Sequence, residues 1–171
     1  MLSGPSRLRL LAASATLLVS AAGSAAPVTK GAPAEAAILS PLSVIKRADL
    51  DFGTLVVSGA GTAVIDPIAN SEAVTGPIVP AGTTAHAAKF TATGSKNAIA
   101  LIRLPKNPID VTRVGGTEKM TVTNWTQDGA TNRRIPLTDT FDFWVGATLN
   151  VGANQAEGTY SGTFTVTVQY P

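Results

Sequence analysis

The sequence holds one histidine, His86, which is the first residue to consider for catalysis or metal binding. A general base or a metal-ligating histidine needs partner groups held close to it. His86 lies among small residues next to a predicted strand, so we interpret it as a surface or strand-edge histidine. The Gly-x-Ser-x-Gly motif of serine hydrolases is missing, because its nearest equivalent, residues 57–61, lacks the first glycine. These residues predict a protein that is not an enzyme.

Two aspartates, Asp49 and Asp51, are spaced so that they would face the same side of an extended segment. Their oxygens could bind calcium, but further ligands are not evident nearby and the twelve-residue calcium loop pattern is missing. We interpret them as turn carboxylates, and Asp66 before Pro67 as a strand end. The chain has no cysteine, which excludes a thiol nucleophile or a thiolate metal site. The sequence therefore predicts neither a metal nor a cofactor.

Four aromatic and basic residues form the one candidate for a ligand or partner surface. These residues are Trp125, Arg133, Arg134 and Trp144. Indole rings and guanidinium groups stack on sugars and pair with carboxylates, so such a surface would suit a carbohydrate. Trp144 lies on the polar side of an alternating segment, where it would be exposed or covered by a partner. The alternative is that Trp144 packs under a loop or against a second sheet.

Two segments near the end of the chain alternate apolar and polar residues with a period of two, one from Phe141 to Val151 and the other from Phe164 to Tyr170. Successive side chains of a strand point to opposite faces, so each segment predicts a strand with one buried face. The polar residues predicted to face water or another protein are Thr148, Asn150, Thr163, Thr165, Thr167 and Gln169. A connection that contains glycine joins the two segments, and we expect them to pair as the last hairpin of an antiparallel sheet.

Shorter apolar segments between turn residues fill the rest of the chain. Strands are predicted at 42–45, at 63–65, around 78–79, at 88–93, at 98–104 and on both sides of Gly115-Gly116. Trp125 interrupts the alternation of its segment and predicts a bulge or a strand end, followed by a polar loop over 127–134. With no helical period after the N-terminal leader, this pattern predicts an all-β protein: an antiparallel immunoglobulin-like β-sandwich of about seven to nine strands.

The N-terminus has the pattern of a cleaved signal peptide. Two arginines, Arg7 and Arg9, precede an apolar run at residues 10–22, and small residues follow. This run is shorter than the roughly 20 residues that a membrane-spanning helix requires. We therefore predict a signal peptide at 1–26, an Ala/Pro-rich lead-in at 27–37 and the sandwich domain at 38–171. The protein is expected in the periplasm, on the cell surface or outside the cell.

The charge of the protein is concentrated in that leader. Arg7 and Arg9 account for the formal net charge of +2, so the exported part is close to neutral. Binding of nucleic acid or anionic lipid depends on several positive charges acting together. We therefore expect no nucleic-acid partner, and no membrane span once the signal peptide is cleaved.

Three segments resemble an exported bacterial family known as domain of unknown function 4402. They are DLDFG at 49–53, GTAVIDP at 61–67 and GTYSGTFTVTVQY at 158–170, and the resemblance covers the chain from about Val44 to Tyr170. Members of that family are predicted to be immunoglobulin-like β-sandwiches similar to subunits of bacterial surface fibres and spore-coat-like pili. The resemblance implies a location outside the inner membrane and a structural or adhesive role. It implies no catalytic residues.

Two functional hypotheses follow from these patterns. The first is a non-enzymatic structural or adhesive protein, of which a pilin-like subunit of a surface fibre is one form, with copies of itself or other fibre subunits as partners. Such a subunit could assemble by strand addition, but the candidate donor, residues 27–42, contains Pro33 and Pro41, which cannot donate to a ladder. The second is a periplasmic or surface module that binds a carbohydrate or another ligand through Trp144 or Trp125.

Overall fold

A computed structural model of the protein describes residues 30–171, so the predicted signal peptide lies outside the described residues. Residues 37–171 form one compact unit. The regular secondary structure of the described residues consists of β-strands alone, and all strand pairings there are antiparallel. The predicted all-β class is confirmed, and the arrangement in sheets is consistent with a β-sandwich.

The described residues contain 13 strands, of which eight have five residues or more. The strands are β1 (Ser43–Ala48), β2 (Leu55–Val57), β3 (Gly61–Asp66), β4 (Ser71–Thr75), β5 (Ile78–Pro80), β6 (Ala88–Thr93), β7 (Ile99–Arg103), β8 (Ile109–Arg113), β9 (Lys119–Gln127), β10 (Asn132–Arg134), β11 (Thr140–Val151), β12 (Tyr160–Ser161) and β13 (Thr167–Gln169). Seven of the predicted strands correspond to strands of five residues or more, and the predictions around 78–79 and at 164–170 correspond to the short strands β5 and β13. Strands β2, β10 and β12 were not predicted, because segments of two or three residues show no periodicity.

The strands form a main sheet, a second sheet and a ribbon. The main sheet has eight strands in the order β1-β6-β11-β9-β8-β12, with the β3-β4 hairpin also joined to β11. The second sheet has the order β10-β7-β13, and the ribbon pairs β2 with β5. The central strand of the main sheet is β11, which pairs with β6 along 140–145, with β9 along 145–150 and with β3 along 148–151. The side chains of β11 therefore lie beside those of β6, β9 and β3.

Aromatic side chains of the main sheet and of the C-terminal segment pack together in the core, in one cluster with Ile102 and Val168 of the second sheet. The rings of Phe90 and Phe143, on neighbouring strands of the main sheet, stack with centroids 5.3 Å apart. Phe164, just before β13, places its ring edge-on to Phe90 at 6.2 Å and 4.6 Å from Trp125. Phe164 thus brings the C-terminal segment into the core, where stacked and edge-to-face rings bury a large apolar area.

The predicted final hairpin is wrong, although both of its segments are extended and alternate as expected. The C-terminal segment does not pair with β11: β12 pairs with β8 in the main sheet, and β13 pairs with β7 in the second sheet. Alternation specifies which side chains share a face but not which strand lies alongside. The connection at 152–159 is long enough to carry the chain past β11 to another edge.

The structure also corrects two shorter predictions and confirms two others. A second strand, β4, lies in the region where only one brief strand was expected, and β10 lies within the predicted polar loop at 127–134. The predicted hairpin around Gly115-Gly116 is confirmed by the pairing of β8 with β9. The predicted irregularity at Trp125 is confirmed too. The pairing of β9 with β11 shifts register between Thr123 and Thr126, and Asn124 between them has a positive φ of 51°.

Candidate functional site

The outer face of the main sheet carries the first candidate residue, Trp144. Its chain neighbours Phe143 and Val145 are fully buried on the inner face, so alternation along β11 directs Trp144 to the opposite face. The side chain is half-buried. Lys89 of β6 lies directly opposite Trp144 in the ladder, and its Nζ is 4.9 Å from the centre of the indole ring. Trp144 therefore lies on the solvent side of the sheet, with a cation over its ring.

The other three candidate residues do not share this face. Trp125 packs against both hydrophobic clusters, and its buried Nε1 has no hydrogen-bond partner within residues 30–171. Arg133 lies mostly buried beside the start of β11, where its Nη2 donates to Asp128 at 2.9 Å. Arg134 is exposed and donates to the carbonyl of Asn97 at 3.1 Å. The structure therefore does not assemble the four residues into one surface, and their binding role stays a prediction.

Four polar side chains, connected to Trp144 through Lys89, form with it what we call the outer patch. Its members are Arg47, Lys89, Thr91, Asp142 and Trp144. Lys89 forms an ion pair with Asp142 at 2.8 Å. The hydroxyl of Thr91 donates to the other carboxylate oxygen at 2.6 Å and accepts from Nε of Arg47 at 3.2 Å. The patch is thus a connected network on three adjacent strands, β1, β6 and β11.

Electrostatics within the outer patch favour the ionised carboxylate. The pKa of Asp142 lies below its ordinary value of 3.8, mainly because Lys89 donates a hydrogen bond to the carboxylate and, next, because Thr91 does. Hydrogen bonds to the charged form and a nearby positive charge both lower the pKa of an acid. The patch therefore presents a fixed negative group between two positive ones beside an aromatic ring.

The acidic residues and the histidine near β3 and β4 serve the local structure. Asp51 and His86 exchange backbone hydrogen bonds of 3.0 and 2.9 Å, so His86 is a strand-edge histidine as predicted. The carboxylate of Asp51 accepts from the backbone of Gly53 at 2.7 Å, and that of Asp66 accepts from Ile68 at 2.7 Å. These contacts confirm that Asp51 is a turn carboxylate and that β3 ends at Asp66, whereas Asp49 is exposed and forms an ion pair with Lys46. Within residues 30–171, no three acidic or histidine side chains lie close enough to hold a metal ion.

Sequence reasoning found Trp144 but missed the rest of the outer patch. Asp142 and Trp144 are two residues apart, as are Lys89 and Thr91, so each pair shares a face of its strand. That signal was present in the sequence. What was not visible is the register that places Thr91 opposite Asp142 and Lys89 opposite Trp144.

Comparison with known proteins gives one match. A family model described as "Domain of unknown function (DUF4402)" matches residues 42–170, which is more than half of the chain. No curated protein and no solved structure matches the chain. In the described residues, no helix is long and apolar enough to cross a membrane.

Proposed function

The chain belongs to the domain of unknown function 4402 family, and from this premise we propose that it is a non-enzymatic structural or adhesive protein of the cell exterior. In this role it is a subunit of a surface fibre or coat. Export is supported by the signal-peptide pattern at 1–26. The family description names no activity, so the proposal depends on the surface of this chain itself.

The observation that supports this function most strongly is the outer patch. Three hydrogen bonds or ion pairs hold its polar groups in place on three adjacent strands of the main sheet, β1, β6 and β11. Groups fixed on strands are positioned more precisely than groups on loops, which favours contact with a partner surface. An aromatic ring beside fixed charges is also the composition that protein-binding surfaces favour. We therefore assign adhesion to this face.

The adhesive role is tested by comparing cells that produce the protein with cells that lack the gene or carry Trp144→Ala. We expect the deletion to reduce retention of cells on one another and on glass, and Trp144→Ala to reduce it nearly as much, because truncation removes the one large contact group of the patch. Asp142→Asn keeps the size of the side chain and should reduce retention less. Val114→Ala, an exposed apolar residue between β8 and β9, is the matched control.

Two results would contradict the adhesive proposal. One is unchanged retention of cells that lack the gene. The other is a cytoplasmic location of the protein, as seen by electron microscopy with a labelled antibody. Thermal unfolding of each purified variant separates a loss of contact from a loss of folded protein.

A second candidate function, a carbohydrate-binding module, is favoured by the pairing of Trp144 with Asp142 on one face. Indole rings stack on the apolar faces of sugars, and carboxylates accept hydrogen bonds from sugar hydroxyls. A glycan array probed with the purified protein tests this function. Binding by the parent with at least a tenfold loss for Trp144→Ala would support it, whereas equal binding by both proteins would exclude the patch as the sugar site.

A further inference from the structure

One edge of the second sheet, that of β13, has no strand beside it in the described part of the chain. Strand β13 pairs with β7 on one side and is the last strand of its sheet. Residues 162–166 precede β13 and continue its alternation of exposed and inward side chains. The inward residues are Phe164, Val166 and Val168, and the exposed ones are Thr163, Thr165, Thr167 and Gln169. We call residues 162–169 the C-terminal edge.

The C-terminal edge carries neither a charge nor a proline, two of the features that keep strand edges from pairing. From Thr159 to Tyr170 the chain has no charged residue and no proline. Natural proteins block exposed edges with charges, prolines, bulges or very short strands, because unpaired N–H and C=O groups otherwise bind another strand. A segment with many β-branched residues and no charge is in addition a strong strand former. The edge is therefore open to pairing.

The other edges of the sheets do carry such features. Strand β1 contains Lys46 and Arg47 and a register shift beside them. Strand β10 carries Arg133 and Arg134. Strand β4 carries Glu72, and β5 of the ribbon ends at Pro80. The contrast singles out the C-terminal edge as the one suited to a further strand.

We propose that the C-terminal edge pairs with the same edge of a second copy of this chain, in antiparallel orientation. The two second sheets then become one continuous sheet of six strands, three from each subunit. This inference rests on the proposed function as a subunit of a surface assembly and identifies one contact within it. A two-fold axis perpendicular to the sheet relates the subunits and keeps both inward faces on the same side.

The side chains of the edge are complementary to themselves. If the axis passes near Thr165 or Val166, Phe164 of one copy lies opposite Val166 or Val168 of the other. Aromatic and β-branched side chains form favourable cross-strand pairs, as do threonines, which meet on the outer face. Phe164, Val166 and Val168 are only half-buried in the single chain, so a neighbouring strand would bury more of their apolar surface.

The occupant we reject is the candidate donor of another copy, residues 27–42, in which the lead-in continues into Ile38 and Pro41. Pro33 and Pro41 remove ladder donors and Glu35 adds a charge, so this segment is a poor strand. Its main apolar side chain, Ile38, is 97% exposed and could still dock on a neighbour. A variant at Ile38 therefore separates a donated lead-in from edge-to-edge pairing.

The dimer is measured by sedimentation equilibrium of the purified exported protein. We expect the parent to dimerise and the double variant Thr165→Lys, Thr167→Lys to dissociate at least about ten times more readily, because lysines then oppose each other across the axis. Both threonines are exposed, so the variant should fold as the parent does. Thr84→Lys adds a lysine at an exposed position elsewhere and should leave the dimer unchanged.

Hydrogen exchange of the parent gives a second readout that needs no variant. Amides of residues 162–169 should exchange more slowly at high protein concentration than at low concentration, since pairing satisfies them. A parent that is monomeric at every soluble concentration, or a dimer that protects other amides, would overturn the proposal. A dimer lost on Ile38→Asp would do so as well and would indicate a donated lead-in. None of these outcomes removes adhesion through the outer patch, which is tested separately with Trp144→Ala.

Discussion

Arg133 and Asp128 complete the edge of β11 where β9 no longer pairs with it. The backbone N–H of Trp144 donates to the carboxylate of Asp128 at 2.7 Å, and the N–H of Asp128 donates to the carbonyl of Trp144 at 3.1 Å. Arg133 donates to that carboxylate and to the carbonyls of Ala130 and Asp142, at 2.9, 3.1 and 3.3 Å. The side chains of this ion pair are only 17% and 23% exposed. Removal of one partner would therefore leave the other charge and several backbone groups unpaired.

We expect Arg133→Ala to lower the free energy of unfolding by about 2–4 kcal/mol, because breaking a largely buried ion pair leaves an uncompensated charge. The neighbouring Arg134→Ala removes an exposed side chain with one hydrogen bond and should cost less than about 1 kcal/mol. Urea unfolding of both variants and the parent measures the difference. Equal losses for the two arginines would show that Arg133 has no special role.

Folding shifts the pKa values of two carboxylates, those of Glu72 and Asp142, in opposite directions. Burial, and secondarily the negative charge of Asp51, raises the pKa of Glu72 above its ordinary value of 4.5. Glu72 therefore favours the folded state at low pH, and this contribution is lost as the pH rises through its raised pKa. The lowered pKa of Asp142 has the opposite effect. Its contribution is present above 3.8 and is lost as the pH falls through the pKa of the folded protein.

These opposite shifts predict opposite effects of neutralising the two acids. At about pH 7 we expect Glu72→Gln to raise the urea midpoint and Asp142→Asn to lower it, and both differences should shrink as the pH falls toward about 3. Midpoints of the parent and both variants across this range test the sign of each shift. A lower midpoint for Glu72→Gln at neutral pH would show that the buried carboxylate has a partner that stabilises its charge.

At the scale of elements, β11 changes its partner on one edge at Gly146. Strand β6 pairs with it as far as Val145, and β3 begins at Thr148. A Cβ on Gly146 would lie 2.1 Å from the carbonyl oxygen of Ile65 and 2.7 Å from Cδ of Pro67. Two strands can share one edge of β11 only because glycine lets the backbone of β3 approach this closely.

We expect Gly146→Ala to destabilise the protein by about 3 kcal/mol, since the added methyl group clashes with backbone that cannot move without separating β3 from β11. Gly152→Ala is the matched control just after the same strand. Its Cβ would meet only Oε1 of the Gln155 side chain, at 3.4 Å, so its effect should stay within about 0.5 kcal/mol. Thermal unfolding of both variants distinguishes the clash from a general effect of replacing glycine.

At the scale of the whole molecule, the last twelve residues join the two sheets and leave the edge that we propose for association. The chain pairs with the main sheet at Tyr160–Ser161 and with the second sheet at Thr167–Gln169. Phe164 lies between these pairings, packed against Phe90 and Trp125. The same segment thus closes the core with its inward side chains and exposes an uncharged backbone edge. The expected dimer, and its weakening in the double variant Thr165→Lys, Thr167→Lys, therefore concern the molecule as a whole.

The sequence by itself determined the class of the fold and the inner face of its longest strand. Alternation from Phe141 to Val151 predicted a half-buried strand, and the inner residues Phe143, Val145, Ala147 and Leu149 are buried. The prediction that Thr148 faces water or another protein is wrong, because this residue is only 8% exposed. Gly115-Gly116 predicted a hairpin, and Asp66-Pro67 predicted a strand end. Each of these features depends on a residue and its near neighbours, because side-chain direction and turn geometry are local properties.

Only the tertiary structure decided which strands pair and which side chains meet across them. The partner of the C-terminal segment is β7, not β11, and Trp125 lies in the core whereas Trp144 lies outside it. The contacts of Trp144 with Lys89 depend on the register of β6 against β11. Pairing and register are set by the packing of all inward side chains at once, so no single segment contains the information that selects them.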